Sequence, residues 1–181
     1  MSRQGEIAKT PTTVNFSLKE ERQMTNSEYD QALTFWIRKD QGEKKMDPAA
    51  LYAWISAFLS SHRVLALATG ANDYVRCTPL EYTWHEDALW IFTEGGLKFK
   101  GLRDNKNIAA AIFDVGTTFT GNLRSLQLEG TAEVVAPDSV EYSSAAAFRK
   151  IPLSAIKKLP EPLWLLKITP TEITCLNSDW R

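Results

Sequence analysis

A threonine, a lysine and an arginine around one predicted turn could together bind a phosphate group. Thr93 ends the apolar run ALWIFT (88–93), Lys98 follows a pair of glycines, and Arg76 lies on the preceding predicted strand. Arginine supplies a planar fork of donors, lysine a point charge and threonine a directed hydrogen bond. A phosphate monoester needs that mixture, and the glycines can take the positive φ that points backbone amides toward an anion. Spacing alone leaves a second interpretation open, in which Arg76 and Lys98 are solvated surface residues.

The remaining reactive residue types do not form a recognised catalytic pattern. His62 and His85 are the two histidines, and neither has a second ligand at a spacing typical of a metal site. The sequence contains neither a nucleophile elbow nor a phosphate-binding P-loop. Cys77 and Cys175 lack a local catalytic signature and are expected to be buried structural thiols. A chain with this composition of side chains would obtain its chemistry from a cofactor.

The overall composition is that of a globular protein with one sizeable core. The chain has 181 residues, of which 44% are hydrophobic and 24% charged. A net charge of −1 gives no general attraction to nucleic acid or to an anionic membrane. No stretch is apolar for long enough to span a bilayer, the N-terminus lacks a signal-peptide segment, and cysteines are few. We therefore expect a cytoplasmic protein without nucleic-acid or membrane partners.

Two segments in the N-terminal part of the chain have helical periodicity. Residues 26–40 and 47–60 have apolar side chains at helical spacing, and Asp47 with Pro48 is typical of a helix start. A third helix is predicted over 137–150 with Asp138 as its cap, and a short helical turn follows Gly96. No regular pattern precedes residue 26. The expected domains are therefore an N-terminal extension over 1–45, partly helical, and a main domain over 46–181.

Short apolar runs separated by turns predict about seven strands. Pro79 places one strand at a sheet edge or at a bulge, and Pro170 is expected to divide the last two strands. The connections are short, so a sheet that closes on itself is favoured. The predicted fold is mainly β (α+β): a small antiparallel barrel with helices packed outside. The predicted strands cover 63–69, 74–84, 88–93, 108–114, 123–135, 163–169 and 172–177.

Three segments in a fixed order carry a family resemblance. They are HRVLALATG (62–70), VRCTPLEYTWHEDALWIFTEGGLKFKGLRDNKNIAAAIFD (75–114) and LQLEGTAEVV (126–135). Together they resemble the pyridoxamine 5'-phosphate oxidase-like, FMN-binding split-barrel family, over roughly residues 47–177. The resemblance implies a split β-barrel of about six to seven strands, and a homodimer with FMN at the subunit interface.

The resemblance also implies roles for individual residues. Arg76 and Lys98 match the cations that bind the FMN phosphate, and Thr93, after Phe92, matches the hydroxyl at the end of that strand. Ser125 falls where many members have a polar cofactor contact. The strand whose backbone runs along the edge of the isoalloxazine ring corresponds to Thr78, Pro79 and Leu80.

Two departures from the family pattern bear on the substrate. Glu81 stands where pyridoxamine-phosphate oxidases have a lysine for the substrate phosphate, and a carboxylate would repel that dianion. The C-terminal arginine-leucine-proline signature of those oxidases is absent, since the chain ends NSDWR (177–181). We therefore expect an FMN-dependent oxidoreductase that acts on another small molecule. A flavin- or haem-binding protein of the same fold without turnover is the alternative.

The apolar content of two predicted strands favours the homodimer independently. ALWIF (88–92) and IAAAIF (108–113) are apolar on both faces, and the chain has six tryptophans and eight phenylalanines. A small closed barrel cannot hide so much flat apolar surface inside. A two-fold interface would bury the remainder.

Overall fold

The computed structural model describes residues 23–40, 45–114 and 124–177. The chain divides into two compact units, Met1–Lys45 and Met46–Arg181. Most of the predicted N-terminal extension and the C-terminal residues 178–181 lie outside the described residues. The described elements are α1 (Asn26–Asp40), α2 (Pro48–Ser61), β1 (Val64–Ala71), β2 (Tyr74–Glu81), β3 (Thr83–His85), β4 (Ala88–Thr93), α3 (Lys98–Asp104), β5 (Asn107–Phe113), β6 (Arg124–Val135), α4 (Val140–Phe148), α5 (Leu153–Ile156) and β7 (Trp164–Asn177).

The strands form one antiparallel sheet of seven strands in the order β2-β1-β5-β6-β7-β4-β3. Its two edges are β2 and β3, which only Tyr82 separates in the chain. The Tyr82 backbone N–H donates to the carbonyl of Arg63 at 2.8 Å, and its hydroxyl to the carbonyl of Leu59 at 2.9 Å. The sheet therefore curls into a half-barrel whose edges the chain itself connects. The predicted mainly β split barrel is confirmed, whereas complete closure by strand pairing is not observed among the described strands.

Alternation along the strands directs one set of side chains into the barrel. Leu65 and Leu67 of β1 and Leu126 and Leu128 of β6 are almost completely buried in this main core. Strand β4 is buried on both faces. Its Ile91 faces the main core, while alternate residues pack in a second cluster beneath α4. The apolar excess of β4 is therefore covered within one chain, contrary to the expectation that a partner covers it.

The opposite face of β1, β2 and β5 consists largely of small residues that are exposed or half-buried. We call it the alanine face, defined by Ala66, Ala68, Ala109 and Ala111, which alternate with core residues along β1 and β5. Cys77, paired with Ala68, also points outward and is exposed, so the expectation of a buried thiol is wrong there. Larger apolar side chains at the same face are exposed as well: Val75 (77%), Phe113 (49%) and Leu176 (43%).

The helix starts follow capping chemistry. Helix α2 begins as predicted, because one carboxylate oxygen of Asp47 accepts from the amides of Ala49 and Ala50, both at 3.1 Å. Helix α4 is capped by Ser139, whose hydroxyl accepts from the Tyr142 amide at 3.0 Å. The prediction of Asp138 as this cap is therefore wrong by one residue. None of the described helices is long and apolar enough to cross a membrane.

Pro79 and Pro170 were both expected to interrupt regular strand pairing, and the structure places them differently. Strand β2 lies at the sheet edge, as Pro79 indicates. Strand β7 instead continues through Pro170 as one strand of 14 residues. The ladder between β6 and β7 shifts register between Glu129 and Gly130, opposite Pro170. The irregularity removes the need for an amide donor there, so the proline does not divide the strand.

Candidate functional site

Three predicted site residues on β2 share the inner face of the sheet. Arg76 lies opposite Thr69 of β1, and Thr78 lies opposite Leu67. Residues paired in an antiparallel ladder point to the same face, and Leu67 is a core residue. The side chains of Arg76, Thr78 and Leu80 are therefore on the barrel side of an edge strand. The other side of this strand's backbone has no strand partner among the described residues.

Thr93 and Lys98 meet at the turn that follows β4. The Thr93 hydroxyl lies 3.4 Å from both the amide and the carbonyl of Gly95. The Lys98 ammonium donates to the same carbonyl. Gly95 and Gly96 have φ values of 114° and 107°, a region that side-chain-bearing residues rarely adopt. The glycine pair therefore permits the tight turn that brings the hydroxyl and the ammonium together.

A close backbone contact fixes the position of α3, and with it Lys98. A Cβ added at Gly101 would lie 2.9 Å from the amide nitrogen of Gly70 and 3.2 Å from the carbonyl carbon of Thr69. Only glycine allows the helix to approach β1 so closely. This contact sets the first turn of α3 beside the end of β1, where Thr69 faces Arg76.

The two cations of this cluster are close to each other and have no anionic partner in the part of the chain that the structure describes. The Lys98 side chain is buried, with 3% of its surface exposed. Burial lowers the pKa of Lys98, and the neighbouring charge of Arg76 lowers it further. Arg76 forms no ion pair or hydrogen bond with any residue in the described ranges. Arg76 is itself exposed, so solvent screens its charge, whereas the desolvated Lys98 ammonium beside it would be stabilised by a bound anion.

Two buried hydroxyls beside these cations also lack hydrogen-bond partners. Within the described part of the chain, the hydroxyl oxygens of Thr69 and Thr78 are fully buried and unpaired. Buried hydroxyls are usually hydrogen-bonded in folded proteins, so these two are donors that remain available to a bound group. A phosphate monoester could accept hydrogen bonds from these two hydroxyls and could pair with the two neighbouring cations. Thr69 was not among the predicted site residues, although it ends the apolar run 63–69 as Thr93 ends the run 88–93.

Three predicted site residues lie away from this cluster. The Phe92 ring packs edge-on against Tyr142 of α4, with centroids 5.5 Å apart, on the face of β4 opposite Thr93. Pro79 is paired with Ala66, so it points to the alanine face. Ser125, paired with Phe113 and Leu176, lies on that same outer face. The side chains of Pro79 and Ser125 are therefore on the other side of the sheet from the cations of their own chain.

The histidines are engaged elsewhere. The ring nitrogens of His62 lie 2.8 Å from the carbonyl oxygen of Phe58 and 2.9 Å from the carboxylate of Asp114. The His85 ring packs on Phe148 at a centroid distance of 4.3 Å. The described residues contain no group of three or more His, Cys, Asp or Glu side chains that could hold a metal.

Lys98 is expected to affect how stability depends on pH. Because its pKa is lowered in the folded protein, the folded state binds fewer protons than the unfolded chain between that pKa and the ordinary value of 10.5. Raising the pH through this window should therefore increase the Lys98 contribution to stability. Urea unfolding at several pH values, with the wild type and with Lys98→Met, measures it. An identical pH dependence in both proteins would contradict this expectation.

The curled antiparallel sheet and its flanking helices define a split β-barrel. Within that class, the chain belongs to the pyridoxamine 5'-phosphate oxidase family, whose model matches residues 53–177. No match was found among curated proteins.

Solved structures share the fold at low sequence identity. A FAD-binding protein from Mesorhizobium loti is 20% identical with a TM-score of 0.54, over 68% of this chain and 90% of that one. The heme storage protein HutZ from Vibrio cholerae is 14% identical with a TM-score of 0.58, over 69% and 93%. A pyridoxamine 5'-phosphate oxidase-like protein from Listeria innocua is 21% identical with a TM-score of 0.55, over 71% and 99%.

Proposed function

We propose that this protein binds a flavin, FMN in particular, and acts as an oxidoreductase on a small molecule. The observation that carries the proposal is the pair of uncompensated cations, Arg76 and buried Lys98, beside two unpaired buried hydroxyls. A phosphate monoester would supply the missing negative charge and the missing hydrogen bonds. Family membership and a fold shared with a FAD-binding protein also support a flavin.

The chain's own residues would bind and orient the cofactor. Arg76 and Lys98 would neutralise the phosphate, and the hydroxyls of Thr69, Thr78 and Thr93 would fix its orientation. The open side of β2 offers backbone groups to the edge of a flat ring, as the resemblance implies for residues 78–80. A bound flavin supplies the hydride or electron transfer, which none of the clustered side chains provides.

Haem is a weaker candidate, although one relative in fold is a heme storage protein. Haem iron usually needs an axial imidazole or thiolate. Both nitrogens of His62 are already engaged, and His85 packs on Phe148 rather than near the cation cluster. The more serious alternative is a flavin carrier without turnover.

The proposed function predicts a coloured protein. The purified protein should show flavin absorption, and mass spectrometry of the released ligand should identify FMN. Anaerobic addition of NADH or NADPH, followed by air, should bleach and restore the absorption if the protein turns over. A colourless protein that cannot be loaded with any flavin would refute flavin binding, whereas a loaded protein that is never reduced would favour the carrier.

We propose that pyridoxamine 5'-phosphate is not the substrate of this protein. The carboxylate of Glu81, at the end of edge strand β2, is largely exposed, and the guanidinium of Arg149 at 3.8 Å offsets only part of its negative charge. A substrate phosphate would be repelled there. We expect little or no aerobic formation of pyridoxal phosphate at saturating FMN. Turnover at ordinary enzyme rates, which are about 1–1,000 per second, would contradict this expectation.

We also propose a homodimer in which the alanine face is the interface. This face exposes apolar side chains, including Val75 and Phe113, that nothing in the described part of the chain covers. Ser125 lies on it, so this residue can contact a flavin only if the flavin is bound by the partner subunit. The dimer would thus bring Ser125 to the cofactor. A cytoplasmic location remains part of the proposal, supported by the two free cysteines.

A further inference from the structure

An open cleft of about 550 Å³ borders the turn that holds Lys98. Its volume is within the range of about 300–1,000 Å³ that is typical of small-molecule sites. Aromatic and cationic side chains line it together with both glycines of the turn. The residues that matter for its chemistry are Gly95, Phe99, Arg103, Lys106 and Trp164.

The cleft has two aromatic walls that do not stack on each other. The ring centroids of Phe99 and Trp164 are 6.0 Å apart, and the ring planes are inclined by 56°. Both side chains are half-buried, and Phe99 packs against the main core, while part of each ring remains accessible. The indole N–H of Trp164 makes no hydrogen bond with the residues that the structure describes. The Lys98 ammonium lies 5.3 Å from the centroid of the Phe99 ring and engages part of it, and the remaining ring surface of the inclined pair can pack on a third planar group.

The rim of the cleft carries a net positive charge. The Arg103 guanidinium makes two hydrogen bonds to the Asp104 carboxylate, at 3.0 and 2.9 Å, so these two charges largely offset each other. Lys106 has no carboxylate within ion-pair distance in the described ranges. Its ammonium donates to the carbonyl of Leu102, which holds it at the end of α3 and leaves further N–H groups free. The charge at the rim is therefore suited to an anion.

We propose that this cleft binds a planar aromatic group that carries a negative charge. The ring would pack against Phe99 and Trp164, and Lys106 would pair with the charge. Such a ligand has two possible sources. It could be the adenosine-phosphate half of a flavin dinucleotide, since Gly95 borders both the cleft and the Lys98 ammonium, or it could be a separate small aromatic anion. The inference goes beyond the flavin proposal and stands if that proposal fails.

The probe for the test is adenosine 5'-monophosphate, with uncharged adenosine as the matched ligand. Titration calorimetry uses wild-type protein loaded with FMN, in which FMN blocks the Lys98 cluster, and the flavin-free Lys98→Met variant, in which binding of a phosphate to that cluster is weakened. We expect Lys106→Ala to weaken the binding of the monophosphate about tenfold and that of adenosine much less. Phe99→Leu should weaken the binding of both the monophosphate and adenosine. Lys100→Ala is the control, because Lys100 lies on the same helix but over the Tyr74 ring.

A comparison of FAD with FMN distinguishes the two sources. If the cleft holds part of a dinucleotide, FAD binds about tenfold or more tightly than FMN, and Lys106→Ala removes the difference. If it holds a separate ligand, FAD has no advantage and the monophosphate binds alongside FMN. The proposal is overturned if the monophosphate does not bind and FAD has no advantage. It is also overturned if Lys106→Ala and Phe99→Leu change neither affinity.

Discussion

Replacing Arg76 by alanine is expected to weaken FMN binding about tenfold or more while riboflavin binding changes little. Arg76 has no anionic partner among the described residues, and its charge acts on Lys98. A charge-assisted hydrogen bond contributes roughly 1.5–3 kcal/mol, which corresponds to that loss of affinity. Riboflavin lacks the phosphate, so it does not depend on this contact. Fluorescence titration of both ligands measures the effect.

Lys98→Met should give the same selective loss. Methionine keeps most of the buried volume of the lysine, so the change removes the charge with less disturbance of the packing. Lys100→Ala is the matched control, since it removes an exposed cation two residues away on the same helix. If Arg76→Ala and Lys98→Met weakened the binding of FMN and of riboflavin equally, the proposal that these residues bind the FMN phosphate would be contradicted.

A charge placed on the alanine face is expected to separate the proposed dimer. Ala111 points outward from β5, between Ala66 and Gln127. An interface of this obligate kind should bury more than about 2,000 Å² in total. Because the proposed interface has two-fold symmetry, Ala111→Lys would place two unpaired charges in it, one from each subunit. With a cost of about 3 kcal/mol or more, the dimer dissociation constant should rise at least about 100-fold.

The measurement is light scattering over a range of protein concentrations, with and without FMN. In wild-type protein, FMN should raise the melting temperature and favour the dimer, since a ligand shared between subunits binds only the assembled form. Ala111→Lys should be monomeric and should bind FMN weakly. Ala155→Lys, which places the same charge on exposed α5, is the control. A wild-type monomer that binds one FMN per chain would refute both the interface and the shared site.

The fold class and the elements that carry the cations follow from local patterns in the sequence. Strand alternation, Asp47 before Pro48, and Pro79 in an edge strand are local signals, because each depends on the backbone geometry of a few neighbouring residues. Arg76, Thr93 and Lys98 could be selected in the same way, since each lies at or near the end of a strongly patterned element.

Which groups lie together, and what covers each face of the sheet, depends on contacts between distant segments. Thr69 joins the cluster because it is paired across the ladder with Arg76, and Ser125 is separated from it because the register of β6 turns it to the alanine face. The second face of β4 is covered by α4, a contact between segments about 50 residues apart. Register and packing depend on such distant pairings, and a one-residue shift in a strand exchanges its two faces. No local pattern in the sequence specifies them.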